Sequence, residues 1–121
     1  MDESILSSVK SKIGMLDEYT EFDGPIIDYI NSVFMVLKQI GVGPTEGFYI
    51  KDATAVWTDF MDESAELNGV KTYVGQKAKL MFDPPQSSAL LQALKESIAE
   101  FEWRLNIAVD PGEIREEANS K

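Results

Sequence analysis

The chain has 121 residues, of which 21 are acidic and 11 basic, with no cysteine or histidine and a net charge of −10. The missing residue types exclude disulfides, thiolate and Ser-His nucleophiles, and nearly every zinc site. The acidic balance argues against a free-standing nucleic-acid binder, which depends on Lys and Arg, and the length fits one domain with a real core.

An apolar share of 44% is that of a soluble globular chain, and no apolar run approaches the length of a membrane span. The acidic start MDESILSSVK lacks a cationic leader region, so the expectation is a soluble protein that stays where it is made. Acids dominate 1–66 and 83–121, whereas 67–82 carries Lys71, Lys77 and Lys79 and no acid. These lysines do not share one helical face, and pairing with neighbouring acids is the expected arrangement.

Residues 3–16 read as a first helix, with Ile5, Val9, Ile13 and Leu16 on one stripe, Leu6 on its flank, and Lys10 and Lys12 facing away. A polar connector follows over 16–20. The second helix opens at Phe22-Asp23-Gly24-Pro25, with Asp23 as a cap and Pro25 in the first turn, where a missing donor costs little. Ile26, Ile30, Val33, Phe34, Leu37 and Ile40 form its apolar face; Asp28, Asn31, Lys38 and Gln39 lie opposite. Gly41-Val42-Gly43-Pro44 stops it.

Residues 41–66 are the least regular part and are read as mobile. Gly47-Phe48-Tyr49-Ile50 suits a short extended segment, and 52–61 a short helix capped by Asp52 that buries Val56, Trp57, Phe60 and Met61. Residues 62–66 form an acidic loop. A third main helix spans 67–82, with Leu67, Val70, Val74, Ala78 and Met81 inward and Tyr73 and Leu80 on a flank. Gly75, in its middle, suits the close approach of another backbone. Pro84-Pro85 ends it, and Ser87 or Ser88 caps the last helix, which runs to about residue 108. There Leu90, Leu94, Ile98, Phe101 and Leu105 share a stripe. Trp103 and Ile107 fall on the opposite side, one turn apart: either the tryptophan folds back under the acidic loop, or the pair makes a contact with another chain. The fold class is therefore all-α: a small bundle of four main helices plus one short helix, one domain over 1–109, and a flexible polar tail over 110–121.

Chemistry is scarce. Gly41-Val42-Gly43 follows a helix and lacks the lysine of a phosphate loop. Asp59, Asp62, Glu63 and Glu66 fit no calcium-loop spacing. Glu96, Glu100 and Glu102 sit in a solvated run, and no serine has a base to activate it. No catalytic residue, cofactor site or metal site is expected, and the chain does not read as an enzyme. Trp57 suits packing of the short helix better than a ligand platform. The candidate contact residues are Trp103, Ile107, Phe48, Tyr49, Ile50 and Trp57, since aromatic side chains dominate the centres of protein contacts.

Ile30-Asn31-Ser32-Val33-Phe34, Ile40-Gly41-Val42-Gly43-Pro44, Trp57-Thr58-Asp59-Phe60, Val70-Lys71-Thr72-Tyr73-Val74, Phe82-Asp83-Pro84-Pro85 and Glu102-Trp103-Arg104-Leu105-Asn106 occur in that order. Together, over about residues 1–107, they resemble the head–tail connector (adaptor) proteins of long-tailed, siphovirus-type phages and related prophages. One departure is Gly75-Gln76-Lys77-Ala78-Lys79, where the family would carry bulkier apolar residues. The resemblance implies a structural protein of the virion neck, made in the host cytoplasm. It implies a homo-oligomeric ring of about twelve copies under the portal protein, extending the DNA channel and carrying the stopper or tail-side neck protein. DNA would pass without sequence-specific binding, no membrane would be involved, and the tail would order on the portal. A different reading of the same residues is an acidic helical, phage-encoded regulatory module that occupies a basic partner surface.

Overall fold

A computed structural model describes residues 3–109, with side chains through 106. Five helices follow one another: α1 (Ile5–Lys12), α2 (Asp23–Gln39), α3 (Trp57–Phe60), α4 (Ala65–Phe82) and α5 (Ser88–Val109). No strand occurs among the described residues; one isolated antiparallel bridge joins Ser4 to Val56. The all-α bundle expected from periodicity is the fold that forms. The tail over 110–121 lies outside the described residues.

The core is the meeting of three helices. Ile5, Leu6 and Val9 of α1, Ile26, Ile30, Val33, Phe34 and Leu37 of α2, and Leu67, Val70, Tyr73, Val74 and Ala78 of α4 are all buried. Spacings of three and four residues put each set on one face, and burial of those faces against one another supplies the main stabilisation. Gly75 does face a close neighbour, but that neighbour is the aliphatic stem of Lys12, about 3.0 Å from where a Cβ would sit. The approach is side chain on backbone as α1 crosses α4, rather than backbone on backbone. Met81, expected inward, is exposed where the last turn of α4 outruns the core.

The first helix is shorter than its apolar stripe. Gly14, at φ 79°, takes the left-handed conformation just past the cap. Gly14 N then donates to Ser11 O and Met15 N to Lys10 O, which closes the helix end. Leu16 is left beyond that stop and is 68% exposed rather than in the core.

Lys10 is the largest departure from expectation. Instead of facing water it is 1% exposed. Its Nζ donates to Asp17 O at 2.9 Å and Tyr19 O at 2.7 Å, and forms an ion pair with Asp23 Oδ1 at 2.9 Å. Two hydrogen bonds and one ion pair thus surround the buried ammonium, which needs such partners. Asp23 consequently does not cap α2: Phe22 occupies that position without a side-chain cap bond. The carboxylate faces back to α1 instead.

Residues 41–60 lie as a strap across the bundle, tied to it by hydrogen bonds at both ends. Asn31, placed on the solvent side by periodicity, clamps it: Oδ1 accepts from Ile50 N at 2.8 Å and Nδ2 donates to Ile50 O at 3.0 Å. A side-chain amide thereby supplies the pair of bonds that a neighbouring strand would. The strap's far end is tied to the start of α1, where Ile5 N donates to Ala55 O and Trp57 N to Glu3 O. Asp52 caps no helix; its Oδ1 accepts from the Thr54 backbone and hydroxyl in a local turn. At α3 only the acidic half of a capping box exists, with Val56 N donating to Asp59 Oδ2 at 3.0 Å. The acidic 62–66 stretch gives up its last residues to α4, whose cap is Ser64, accepting from Leu67 N at 3.1 Å.

The last helix, α5, packs chiefly on α4. Ile98 and Leu105 are buried, and Leu94 and Phe101 half-buried. Gly69 lets the Phe101 and Leu105 side chains lie close over the α4 backbone. Ser87 caps the helix through Leu90 N at 3.3 Å. Leu90, the first member of the expected stripe, is exposed, because the stripe begins before the core it packs on.

Candidate interaction surfaces

The six candidate contact residues separate into two groups. Trp57 and Ile50 are 1% and 2% exposed and belong to the core. Trp57 packs edge-on against Phe34, with ring centroids 6.3 Å apart, and Ile50 is held by the Asn31 clamp. As core members they present no surface for a second chain. Phe48 is half-buried and completes the aromatic cluster, 5.0 Å from Phe34 and 5.3 Å from Phe60. Its neighbour Tyr49 points outward at 65% exposure, with Lys51 Nζ 6.0 Å from its ring centroid.

Trp103 is also 65% exposed. The tryptophan does not fold back under the 62–66 loop; it stands out from α5 on the side away from α4. Ile107 is one turn further along α5, but its side chain lies outside the described residues. An exposed indole offers a large amphipathic face that is well suited to a contact. Around it the helix surface is closed by local pairs: Arg104 with Glu100 at 2.7 Å and Gln92 with Glu96 at 3.1 Å.

The inner side of the same helix is fixed by polar as well as apolar contacts. Tyr73 of α4 is wholly buried, and its hydroxyl donates to Glu102 Oε2 at 2.7 Å. Burial first, then the hydrogen bond and charge of Glu102, push this phenol well above its ordinary range. Lys77 Nζ stands 4.0 Å from the same carboxylate oxygen, and Ser97 donates to Gln76 Oε1 at 3.0 Å. These bonds fix the helix that carries Trp103.

The three lysines of 67–82 are paired with acids, as expected: Lys71 with Glu3 at 4.0 Å, Lys77 with Glu102 at 4.0 Å and Lys79 with Asp83 at 2.9 Å. They form no basic groove. Asp52, its carboxyl held below the usual range by the Thr54 hydrogen bonds, is exposed and serves its turn. Among the described residues no group of three or more acids is placed to hold a metal ion.

A third surface was not singled out from the sequence. The loop between α1 and α2 brings Phe22 beside Phe82 from the end of α4, around a cleft of about 380 Å³ lined by Met15, Phe22, Pro25, Ile26 and Phe82. Tyr19 meets Phe22 edge-on at 5.8 Å, and Tyr29 braces Phe82 at 5.7 Å. The available signal was the one used for Trp103: Tyr19 and Phe22 are aromatics with no place in any helical stripe.

The described residues make an α-helical bundle whose outward-facing aromatic groups, Tyr49, Trp103 and Phe22, suit contacts with other chains. Comparison with known families agrees. The phage connector protein family matches residues 5–112, and the chain belongs to that family. Its role is accordingly that of a phage head–tail connector, a structural part that engages other capsid or tail components. Neither a curated protein nor a solved structure matches the chain. No helix among the described residues is long and apolar enough to cross a membrane.

Proposed function

We propose that this connector assembles as a closed ring of about twelve copies beneath the portal protein, where it lengthens the DNA channel and seats the stopper or tail-side neck protein. A closed ring needs heterologous contacts, so each subunit must offer two different faces to its neighbours. The observation that carries the reading is Trp103, ordered on α5 and 65% exposed in a single copy. The face around Trp103 on α5 is one contact, with Ile107 one turn further along the chain as its second candidate residue; Tyr49 and the outer edge of Phe48 on the strap are the other. Subunits at a net charge of −10 give the assembly an acidic character that repels a phosphate backbone, so DNA passes without adhering. The 110–121 segment docks on the portal.

The test is sedimentation of the purified protein over a range of concentrations, followed by electron microscopy of its mixture with purified portal. Rings, alone or templated by portal, are the expected result. A tight dimer that ignores the portal and binds a host protein would replace this reading with the acidic regulatory module.

A further inference from the structure

We infer that the cleft between the α1–α2 loop and the end of α4 is a docking socket for a bulky apolar side chain on a basic segment of a different protein. The inference rests on the connector reading only for the setting in which that partner is met.

Three observations converge. The first is composition: Phe22 and Phe82, both large and exposed, line the cleft with Met15, Pro25 and Ile26, and Leu16, Tyr19 and Met81 are exposed on the same two chain segments. Nothing in the core needs the exposed ones. The second is rigidity. The side chains at the lip are carried by a loop that would be free between Gly14 and Asp23, yet the buried ammonium of Lys10 holds Asp17 O, Tyr19 O and Asp23 together. Burying a lysine is unfavourable unless it is fully partnered. Here it fixes the backbone that aims Tyr19 and Phe22, which is how a preformed site lowers the ordering cost of binding.

The third observation selects the occupant. Asp17, Glu18 and Glu21 lie along the loop, and among the described residues none of the three is in an ion pair; Glu21 only accepts the Tyr19 hydroxyl at 3.1 Å. Lys79, at the α4 end, is engaged by Asp83 at 2.9 Å. An apolar socket bordered by a loop that carries unpaired acids complements an apolar anchor flanked by Lys or Arg. Of the chain's 11 basic residues, Lys10, Lys71, Lys77, Lys79 and Arg104 are already engaged by acids, so a second copy offers the lip less free positive charge than a basic segment of another protein. Neither Trp103 nor Tyr49, the centres of the two ring faces, lines the socket.

The test uses the full-length protein and a fluorescently labelled hexapeptide, Lys-Lys-Phe-Leu-Lys-Lys, with its Glu-flanked counterpart as control. The expected result is salt-sensitive binding with amide shift changes confined to residues 15–26 and the end of α4. Phe22→Ser, at a half-exposed position outside the core where serine can cap α2, should weaken binding at least about tenfold without lowering the thermal transition. Glu18→Lys with Glu21→Lys should weaken it by a similar factor. Equal binding of the Glu-flanked peptide, or shifts spread over the other acidic surfaces and unchanged by Phe22→Ser, would overturn the proposal. So would shifts at the same residues that grow with protein concentration alone, since a second copy would then fill the socket. Because the titration needs no assembly, its failure leaves the ring reading standing, and absence of rings leaves the socket standing.

Discussion

The α1–α2–α4 core and the α5 helix are held in different ways. In the core each element is enclosed by at least two others, and the 41–60 strap is pinned to both α2 and the start of α1. The last helix rests chiefly on α4, through Ile98, Leu105, two half-buried residues and the Tyr73–Glu102 and Gln76–Ser97 bonds. An element enclosed on several sides keeps only its edges for a partner, as Tyr49 does on the strap. An element held on one side keeps the other free, and on α5 that free side carries the tryptophan. The difference predicts that substitutions in the two regions separate cleanly into those that unfold the subunit and those that leave it folded but unable to assemble.

The largest effect is expected at Lys10. Replacing it with methionine strands the Asp23 carboxylate and two loop carbonyls, a loss of about 3 kcal/mol, in the range seen when one partner of a buried pair is removed. Urea denaturation measures it. Adding Asp23→Asn to Lys10→Met should cost less than the two single changes together, because the stranded charge is gone. Strict additivity would mean that the pair is not coupled. Gly43→Ala comes next, at about 2 kcal/mol. At φ 95° a Cβ is strained, and it would stand 2.5 Å from two carbons of the Phe60 ring, beneath the strap. A thermal transition unchanged by this substitution would show that the strap has room to shift.

These two sites also show where reading the sequence succeeds and where it stops. The apolar faces of α2 and α4 are legible because their burial is one-sided and periodic, and Trp103 stood out because it had no place in such a face. Lys10 is not legible: periodicity sends a lysine to solvent, and two of its three partners are backbone carbonyls, which no side-chain pattern records. Asn31 is hidden for the same reason, since it clamps the backbone of Ile50. Tyr49 and Ile50 are adjacent and both looked like contact residues, yet alternation along an extended strap sends one out and one in. The Phe22–Phe82 cleft unites positions sixty apart, beyond the reach of any local window.

Next in size is the bond that ties α5 down. Tyr73→Phe removes a buried hydroxyl bonded to a carboxylate and should cost about 1.5 kcal/mol. The pH dependence has a definite sign. A phenol whose folded pKa is raised loses its proton more readily in the unfolded chain, where it titrates near about 10. Its contribution is therefore complete below that pH and declines as pH rises toward the folded value. Wild-type stability should fall above about pH 10 through this group, and Tyr73→Phe should flatten the decline. Tyr29, also raised by burial, leaves a residual slope. Equal alkaline slopes in the two proteins would remove Tyr73 from the account.

The smallest effect on stability, and the largest on assembly, is expected at Trp103. Its side chain is 65% exposed, so Trp103→Ala removes little buried area and should change the unfolding free energy by less than about 0.5 kcal/mol. Helix content should be unchanged by circular dichroism, while ring formation, alone or on the portal, should fail. Trp103→Phe, which retains an aromatic contact of smaller area, should recover part of the assembly. The two readouts must diverge for the division between core and outer helix to hold. If Trp103→Ala lowers the thermal transition in step with assembly, the indole is supporting the α4–α5 packing and the ring contact lies on another face. Sharpening comes from joining Trp103→Ala to Tyr73→Phe. If the outer face acts only between subunits and the inner face only within one, their effects on monomer stability should add, because the α5 backbone separates the two surfaces.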